Sequence, residues 1–153
     1  MATRSSKSPL APAPPPEALA EHLRSAVKAL VRNARTGDRL PPIPAAVLDL
    51  LDTGQAMTTA DLAASRGVRH QTMAATVKDL ADTGLIASGP DPDDARKKIL
   101  TLTPAGKETL NAHRRQRVAA LADAVAATLD EDDRRILARA LDLIDRVGEA
   151  MAS

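Results

Sequence analysis

The chain contains no Phe, Tyr or Trp, although 44% of its 153 residues are hydrophobic. Its core must therefore be built from Leu, Val, Ile, Met and Ala. Alanine is the best helix former and loses no side-chain entropy on folding, so such a core favours closely packed helices. The absence of Cys excludes disulfides and thiolate metal sites, and it permits a reducing cytoplasm without requiring one. We therefore expect a mainly helical protein with one domain.

The sequence carries no signal for a membrane or for export. No apolar run approaches the roughly 18 residues that a membrane helix needs, and the N-terminus lacks the apolar segment of a secretory signal. We expect a soluble cytoplasmic protein. Residues 1–40 contain seven Lys/Arg and three Asp/Glu, whereas residues 118–153 contain four and eight. Nucleic-acid binding needs a local basic surface, so this asymmetry permits DNA binding without demanding it.

Residues 1–16 are rich in Pro, Ser and Ala and have almost no large apolar side chains. Such a segment cannot offset its own ordering entropy, so we predict a disordered tail. Its Arg4 and Lys7 either contact DNA phosphates or are simply solvated, and the second interpretation is favoured.

Apolar residues then recur at helical spacing in six segments, each bounded by Pro, Gly or a capping residue. The helices are predicted from residue 17 to 37, from 42 to 54, from 58 to 67, over roughly 70–82, over roughly 104–128, and from 130 to 151. Thr58 and Asp61 have the spacing of a capping box at the start of the third helix. The fifth helix is predicted to turn four apolar residues inward, namely Leu110, Val118, Leu121 and Val125.

Two short segments after the fourth helix have strand character. They are Leu85-Ile86-Ala87 and residues 98–102, and a turn-rich stretch over residues 89–94 separates them. Two helices joined by a short Gly-containing turn make a helix-turn-helix, and a hairpin directly after it is a wing.

Residues 57–110 resemble the MarR family of winged-helix regulators. The matches follow one another in order and at the expected separations. The third-helix pattern lT-x-x-x-LA matches residues 58–63. The recognition helix and first strand of the family match Thr72, Leu80 and Gly84-Leu85-Ile86. The wing pattern D-x-R…LT-x-x-G matches Asp94-Ala95-Arg96 and Leu102-Thr103-Pro104-Ala105-Gly106.

The resemblance implies a mainly α (α+β) fold within one domain over residues 17–153. A winged helix-turn-helix lobe (42–103) would be joined to a helical dimerisation platform formed by residues 17–38 and 104–152. The chain would bind near-palindromic double-stranded DNA as a homodimer and regulate transcription. It would act as a repressor released by a small-molecule effector, often phenolic in relatives. No cofactor or metal is implied.

The fourth helix carries the predicted major-groove contacts. Gln71 is expected to contact a base or a phosphate rather than to be a plain exposed residue, and its amide can both donate to and accept from adenine. For His70, DNA contact and plain exposure are evenly balanced. Thr72 and Lys78 are expected to contact phosphates, which fix position rather than sequence. Three positions depart from the family pattern: Ala74 and Ala75 replace polar or basic residues and retain only contact with a thymine methyl, and Arg69 replaces the usual small polar cap.

The hairpin carries the other predicted contacts. The resemblance implies that Arg96 is the wing-tip arginine that enters the minor groove and that Asp94 orients it, with Lys97 and Lys98 as phosphate neighbours. For Arg96 the alternative is a solvated hairpin charge, and for Asp91, Asp93 and Asp94 it is a calcium loop. The calcium loop is disfavoured because it lacks a Gly at the sixth position and a distant bidentate Glu.

Two alternatives stay open outside these elements. His22 and His113, on platform helices, either line an effector pocket or, as isolated helical histidines more often do, lie on the surface. Three arginines of the fifth helix form a solvated face or pair with acids across a dimer: Arg114, Arg115 and Arg117.

The sequence offers no nucleophile–base pair, metal constellation or Gly-rich phosphate loop, so an enzyme is not expected. The competing function is a winged-helix module that binds another protein and has lost specific DNA binding. Ala74 and Ala75 favour that alternative, whereas Arg96 with Asp94 opposes it.

Overall fold

A computed structural model describes residues 11–35 and 37–153. Residues 1–10, which contain Arg4, Lys7 and most of the predicted tail, lie outside the described residues. The mainly α fold with a small hairpin is confirmed. The elements in chain order are α1 (Pro16–Ala34), α2 (Pro42–Asp52), α3 (Thr59–Arg66), α4 (His70–Asp82), β1 (Ile86–Pro90), β2 (Lys98–Leu102), α5 (Pro104–Thr128) and α6 (Glu131–Ala152).

Helix α1 belongs to one compact unit, and everything from Gly37 onward belongs to another. Pro16 suits the first turn of α1 because its missing N–H would have no partner there. The helix buries none of its side chains. Its apolar stripe is exposed at Leu19, Val27, Leu30 and Val31.

The core of residues 37–153 joins α2, α3, α4 and α5 to the hairpin. Its largest fully buried side chains are all aliphatic or Met, as the lack of aromatic residues requires: Val47, Leu48, Leu62, Met73 and Leu110. Ile86 and Leu100 add one buried residue from each strand. These contacts fix α4 and the hairpin on a common support.

The hairpin pairs β1 antiparallel to β2, from Ile86 opposite Leu102 to Pro90 opposite Lys98. Strand β1 therefore runs three residues beyond the predicted Ala87. The Leu100 N–H donates to the carbonyl of Met57 over 2.9 Å. This bond fastens β2 to the segment that precedes α3.

The second half of α5 and all of α6 lie largely in the open. Leu110 is buried as predicted, but Val118 is 66% exposed and Leu121 is also exposed, so their predicted inward placement is wrong for the single chain. Helix α6 begins with a capping box between Asp130 and Asp133, yet none of its side chains is buried. No helix among the described residues is long and apolar enough to cross a membrane.

Candidate nucleic-acid interface

The turn between α3 and α4 sets the direction of α4. Gly67 ends α3 in the left-handed region, with φ of 62°, where a side chain would be strained. The Val68 N–H then donates to the Ala63 carbonyl over 3.1 Å, and Val68 packs against the core. Met73 and Leu80 are buried, so the opposite face of α4 is turned to solvent.

The exposed face of α4 begins with a basic and polar turn. Arg69 is the N-cap residue but makes no side-chain cap, and the first turn contains no acid. His70, Gln71 and Thr72 are all exposed, as expected of groove-facing residues. Further along, Ala75 is exposed while Ala74 is half-buried.

The second half of this face is nearly neutralised. The Lys78 ammonium lies 2.6 Å from the Asp82 carboxylate, and this hydrogen bond raises the lysine pKa. Asp79 lies on the next position and is also exposed. Lys78 would have to leave Asp82 to contact a phosphate, although an exposed pair of this kind is weak. Among the described residues, the side-chain hydrogen-bond donors of α4 that lack an acidic partner therefore lie mainly at its N-terminal end.

The wing tip presents Arg96 almost entirely to solvent, with 94% of its side chain exposed. Asp94 Oδ1 accepts from the Arg96 backbone N–H at 3.1 Å and from its Nε at 3.4 Å. Asp94 therefore contacts both the backbone and the side chain of Arg96. Asp91 accepts from the Asp93 N–H over 2.8 Å, which fits a turn. No cluster of potential metal ligands occurs in the described segments.

The lobe brings the start of α4 close to the base of the wing. His70, Lys97 and Lys98 line one cleft of about 460 Å³, together with residues 58–61 at the start of α3. In the capping box, Thr58 Oγ1 accepts from the Asp61 N–H at 3.1 Å and the Thr58 N–H donates to Asp61 at 2.8 Å. Donation from the Thr58 N–H to the Asp61 carboxylate lowers the pKa of Asp61 most, and the Thr58 side chain and Lys97 add to the effect. The capping box marked this helix start in the sequence, but its position beside the two lysines depends on the fold.

Ion pairs fasten the lobe to α5. Asp52 of α2 accepts from Lys107 and from Arg114, and these bonds, the first from Lys107, lower its pKa. Arg114 also binds Asp49. Arg114 and Arg115 are exposed, as predicted for a solvated face, although both pair with acids of the same chain, whereas Arg117 is half-buried. The remaining pairs are Arg115 with Glu108 and Arg117 with Asp38.

His113 is the one buried polar residue of the described chain, with 5% of its surface exposed. The expectation that it lies on the surface is wrong. Neither ring nitrogen has a hydrogen-bond partner among the described residues. The residue borders a cavity of about 350 Å³ that Arg39, Leu40, Glu108 and Thr109 also line. His22, on α1, is exposed.

A helix-turn-helix with an exposed second helix, followed by a hairpin with an arginine at its tip, defines a winged helix-turn-helix protein. Residues 40–97 match the model of the MarR family. The chain is also 35% identical over 129 residues to an HTH-type transcriptional regulator of Mycobacterium tuberculosis, covering 82% of this chain and 90% of that protein. This chain belongs to the MarR family of transcriptional regulators.

Solved structures agree with this assignment. A transcriptional regulator protein from Pseudomonas aeruginosa has 31% identity and a TM-score of 0.73, covering 86% of this chain and 93% of that one. A structure of S. aureus MepR bound to an oligodeoxyribonucleotide has 17% identity and a TM-score of 0.61, covering 84% and 97%, and shares the fold. The relatives are regulators, which confirms that the chain is a regulator rather than an enzyme.

Proposed function

We propose that this regulator binds a near-palindromic duplex as a homodimer, with α4 in the major groove and Arg96 of the wing in the minor groove. The observation that carries the proposal is that one lobe presents both the unpaired polar turn of α4 and an exposed, oriented Arg96. The fold shared with a protein solved on an oligodeoxyribonucleotide supports it.

The two contacts differ in what they read. A helix in the major groove meets donor and acceptor patterns that distinguish all four base pairs, and Gln71 suits adenine there. An arginine in the minor groove responds instead to groove width, because narrow A·T-rich segments concentrate negative potential. Lys97 and Lys98 are placed to meet phosphates, which fix the register of the lobe.

The exposed apolar faces of α5 and α6 support a homodimer. Apolar patches of several hundred Å² are rare on monomers, yet α6 buries none of its side chains. A two-fold pair of α4 helices about 34–36 Å apart would read successive turns of the major groove. The exposed apolar residues of α5 and α6 are Val118, Leu121, Ile136, Leu137, Leu141, Leu143, Ile144, Val147 and Met151.

The DNA test begins with duplexes that the protein enriches from a random-sequence pool. On the best duplex, Arg96→Ala should weaken binding and reduce the slope of log affinity against log salt by about one per subunit, hence about two per dimer. Arg139→Ala on α6 removes the same charge from another exposed site and should leave both quantities unchanged. If Arg96→Ala binds like the parent, the wing assignment fails. If no sequence is enriched, the protein-interaction alternative becomes the better explanation.

The dimer test is sedimentation of the full chain. We expect a single dimeric species at micromolar concentration, because separated chains would expose the apolar residues of α6. A folded monomer at that concentration would contradict the proposal.

For the regulatory part, we propose repression relieved by a small molecule that enters the cavity beside His113. A buried imidazole without partners leaves donor and acceptor capacity unused, and a ligand hydroxyl or carboxylate would satisfy it once the groups that cover the ring nitrogens move aside. Since the chain has no Phe, Tyr or Trp, aliphatic walls and the polar groups of the cavity must hold the ligand.

A panel of phenols and aromatic acids tests this cavity. A compound that raises the melting temperature of the parent, but not that of His113→Leu, should also release the parent from the selected duplex. His22→Leu is the control, because that histidine is exposed on α1. Release of His113→Leu by the same compound at the same concentration would refute the site.

A further inference from the structure

Arg69 occupies a position that the fold alone does not favour. It is the N-cap residue of α4, where Ser, Thr, Asp or Asn would accept from the free backbone N–H groups of the first turn. Arginine cannot accept, and the structure shows no side-chain cap at this end. A cation also faces the positive end of the helix dipole there. Local stability therefore gains nothing from this arginine.

The backbone of Arg69 is nevertheless well fixed. Its carbonyl accepts from the Met73 N–H over 3.1 Å, and Met73 is fully buried. The preceding Val68 packs against the core and is tied to Ala63. The side chain itself is exposed and has no ion-pair partner among the described residues. A rigid anchor therefore carries an unpaired guanidinium.

Gln71 suits adenine rather than guanine, and the residues of α4 that follow it offer little that would take the place of Arg69. Ala74 and Ala75 cannot donate a hydrogen bond, and Lys78 is paired with Asp82. In helix-turn-helix proteins, residues at the N-terminal end of the recognition helix contact base edges. Arg is the side chain that most often reads guanine, through bonds to its N7 and O6.

We propose that Arg69 is a specificity-determining residue that reads a guanine in each half-site. The inference rests on the proposed DNA binding and deepens it. An arginine at the N-cap makes the helix less stable than Ser, Thr, Asp or Asn would, and such departures from local preference are expected at functional residues.

The test uses the best duplex that the parent protein enriches from random DNA, and copies in which 7-deazaguanine replaces one symmetric pair of guanines at a time. That base lacks the N7 acceptor. For at least one pair, we expect the replacement to weaken the parent by about 5- to 150-fold per half-site. Arg69→Ser should bind the unmodified duplex more weakly by a similar factor and should not respond to that replacement.

Arg66→Ser is the matched control. Arg66 also lies beside the turn, but it ends α3, where a cation suits the negative end of the helix. Its loss should leave the response to 7-deazaguanine intact. Arg69→Ser should in addition raise the melting temperature, because serine restores a cap, whereas Arg66→Ser should not.

The outcomes separate this inference from the function on which it rests. If the parent enriches no sequence, the proposed DNA binding fails and the role of Arg69 falls with it. If the parent enriches a sequence but Arg69→Ser matches it in affinity or in its response to 7-deazaguanine, only the role of Arg69 is overturned.

Discussion

Helix α5 packs closely against the start of the wing at Gly106, and Gly106→Ala tests this contact. A Cβ added at Gly106 would lie 2.0 Å from the Leu85 carbonyl oxygen and 2.8 Å from Leu102 Cδ1. The nearer atom belongs to backbone that is itself held, because the Leu85 carbonyl accepts from the Thr103 N–H. Thr103 Oγ1 also donates to Gly84 and accepts from the Gly106 N–H. Relief of the clash must therefore move α5 away from the hairpin.

The magnitude follows from two opposing effects. Overpacking of a well-packed site costs about 1–3 kcal/mol, and a backbone neighbour only about 2 Å away places this site toward the upper end. Ala in place of Gly returns at most about 1 kcal/mol of helix propensity. We expect a net loss of about 1–2 kcal/mol. For a chain of this size, that loss lowers the melting temperature by about 2 to 8 °C.

Gly89→Ala in strand β1 is the control, since the same chemical change there meets nothing within 4 Å and lies away from the apolar face of α6. It should stabilise the protein by about 0.5–1 kcal/mol. Urea and thermal unfolding of parent and variants, at one fixed protein concentration, measure both effects. If Gly106→Ala proves as stable as Gly89→Ala, the close packing of α5 against Leu85 is refuted.

Three further outcomes are expected. Asp61→Ala should be less stable than the parent near neutral pH. Because the pKa of Asp61 is lowered in the fold, the difference in stability should persist above the ordinary pKa of about 3.9 and vanish as pH falls through the lowered pKa. Equal urea midpoints at pH 7 would count against the capping box. Asp52→Asn weakens the pairs with Lys107 and Arg114, so it should lower the melting temperature more at low salt than at high salt. A decrease that does not depend on salt would argue against an ionic role for Asp52. With no Cys, DNA binding should survive peroxide doses that oxidise only thiols, and thiol-reversible release would contradict this.

Local signals in the sequence located the elements well. Thr58 with Asp61, the prolines at 42 and 104, and Asp130 with Asp133 act within a few residues, so helix starts could be predicted from neighbours alone. Burial in α3 and α4 also followed the periodicity, as at Leu62, Met73 and Leu80.

Contacts between distant segments could not be predicted in this way. The pairs of Arg114 with Asp49 and of Arg117 with Asp38 join residues more than 60 positions apart, and a charge on an exposed helix face does not specify its partner. His113 was missed because its burial depends on how residues 39 and 40 pack against α5. Val118 keeps the helical spacing of a core residue but lies beyond the reach of the lobe. Periodicity indicates that a face is apolar, not which surface covers it.

These distant contacts connect α5 with α4, the proposed recognition helix. Asp52 of α2 pairs with Lys107 and Arg114 of α5, and α2 packs against α4 in the core. A displacement of α2 relative to α5 would therefore move the recognition helix α4 relative to α5. The cavity beside His113 lies at the same junction, between residues 39–40 and α5. Suppose that α5 and α2 can adopt two relative positions. A ligand then changes the affinity for DNA by no more than the difference between its own binding free energies in those two positions. Loosening the ion pairs, as in Asp52→Asn, should therefore change the proposed response to a ligand more than it changes the proposed contacts of Arg69 and Arg96 with DNA.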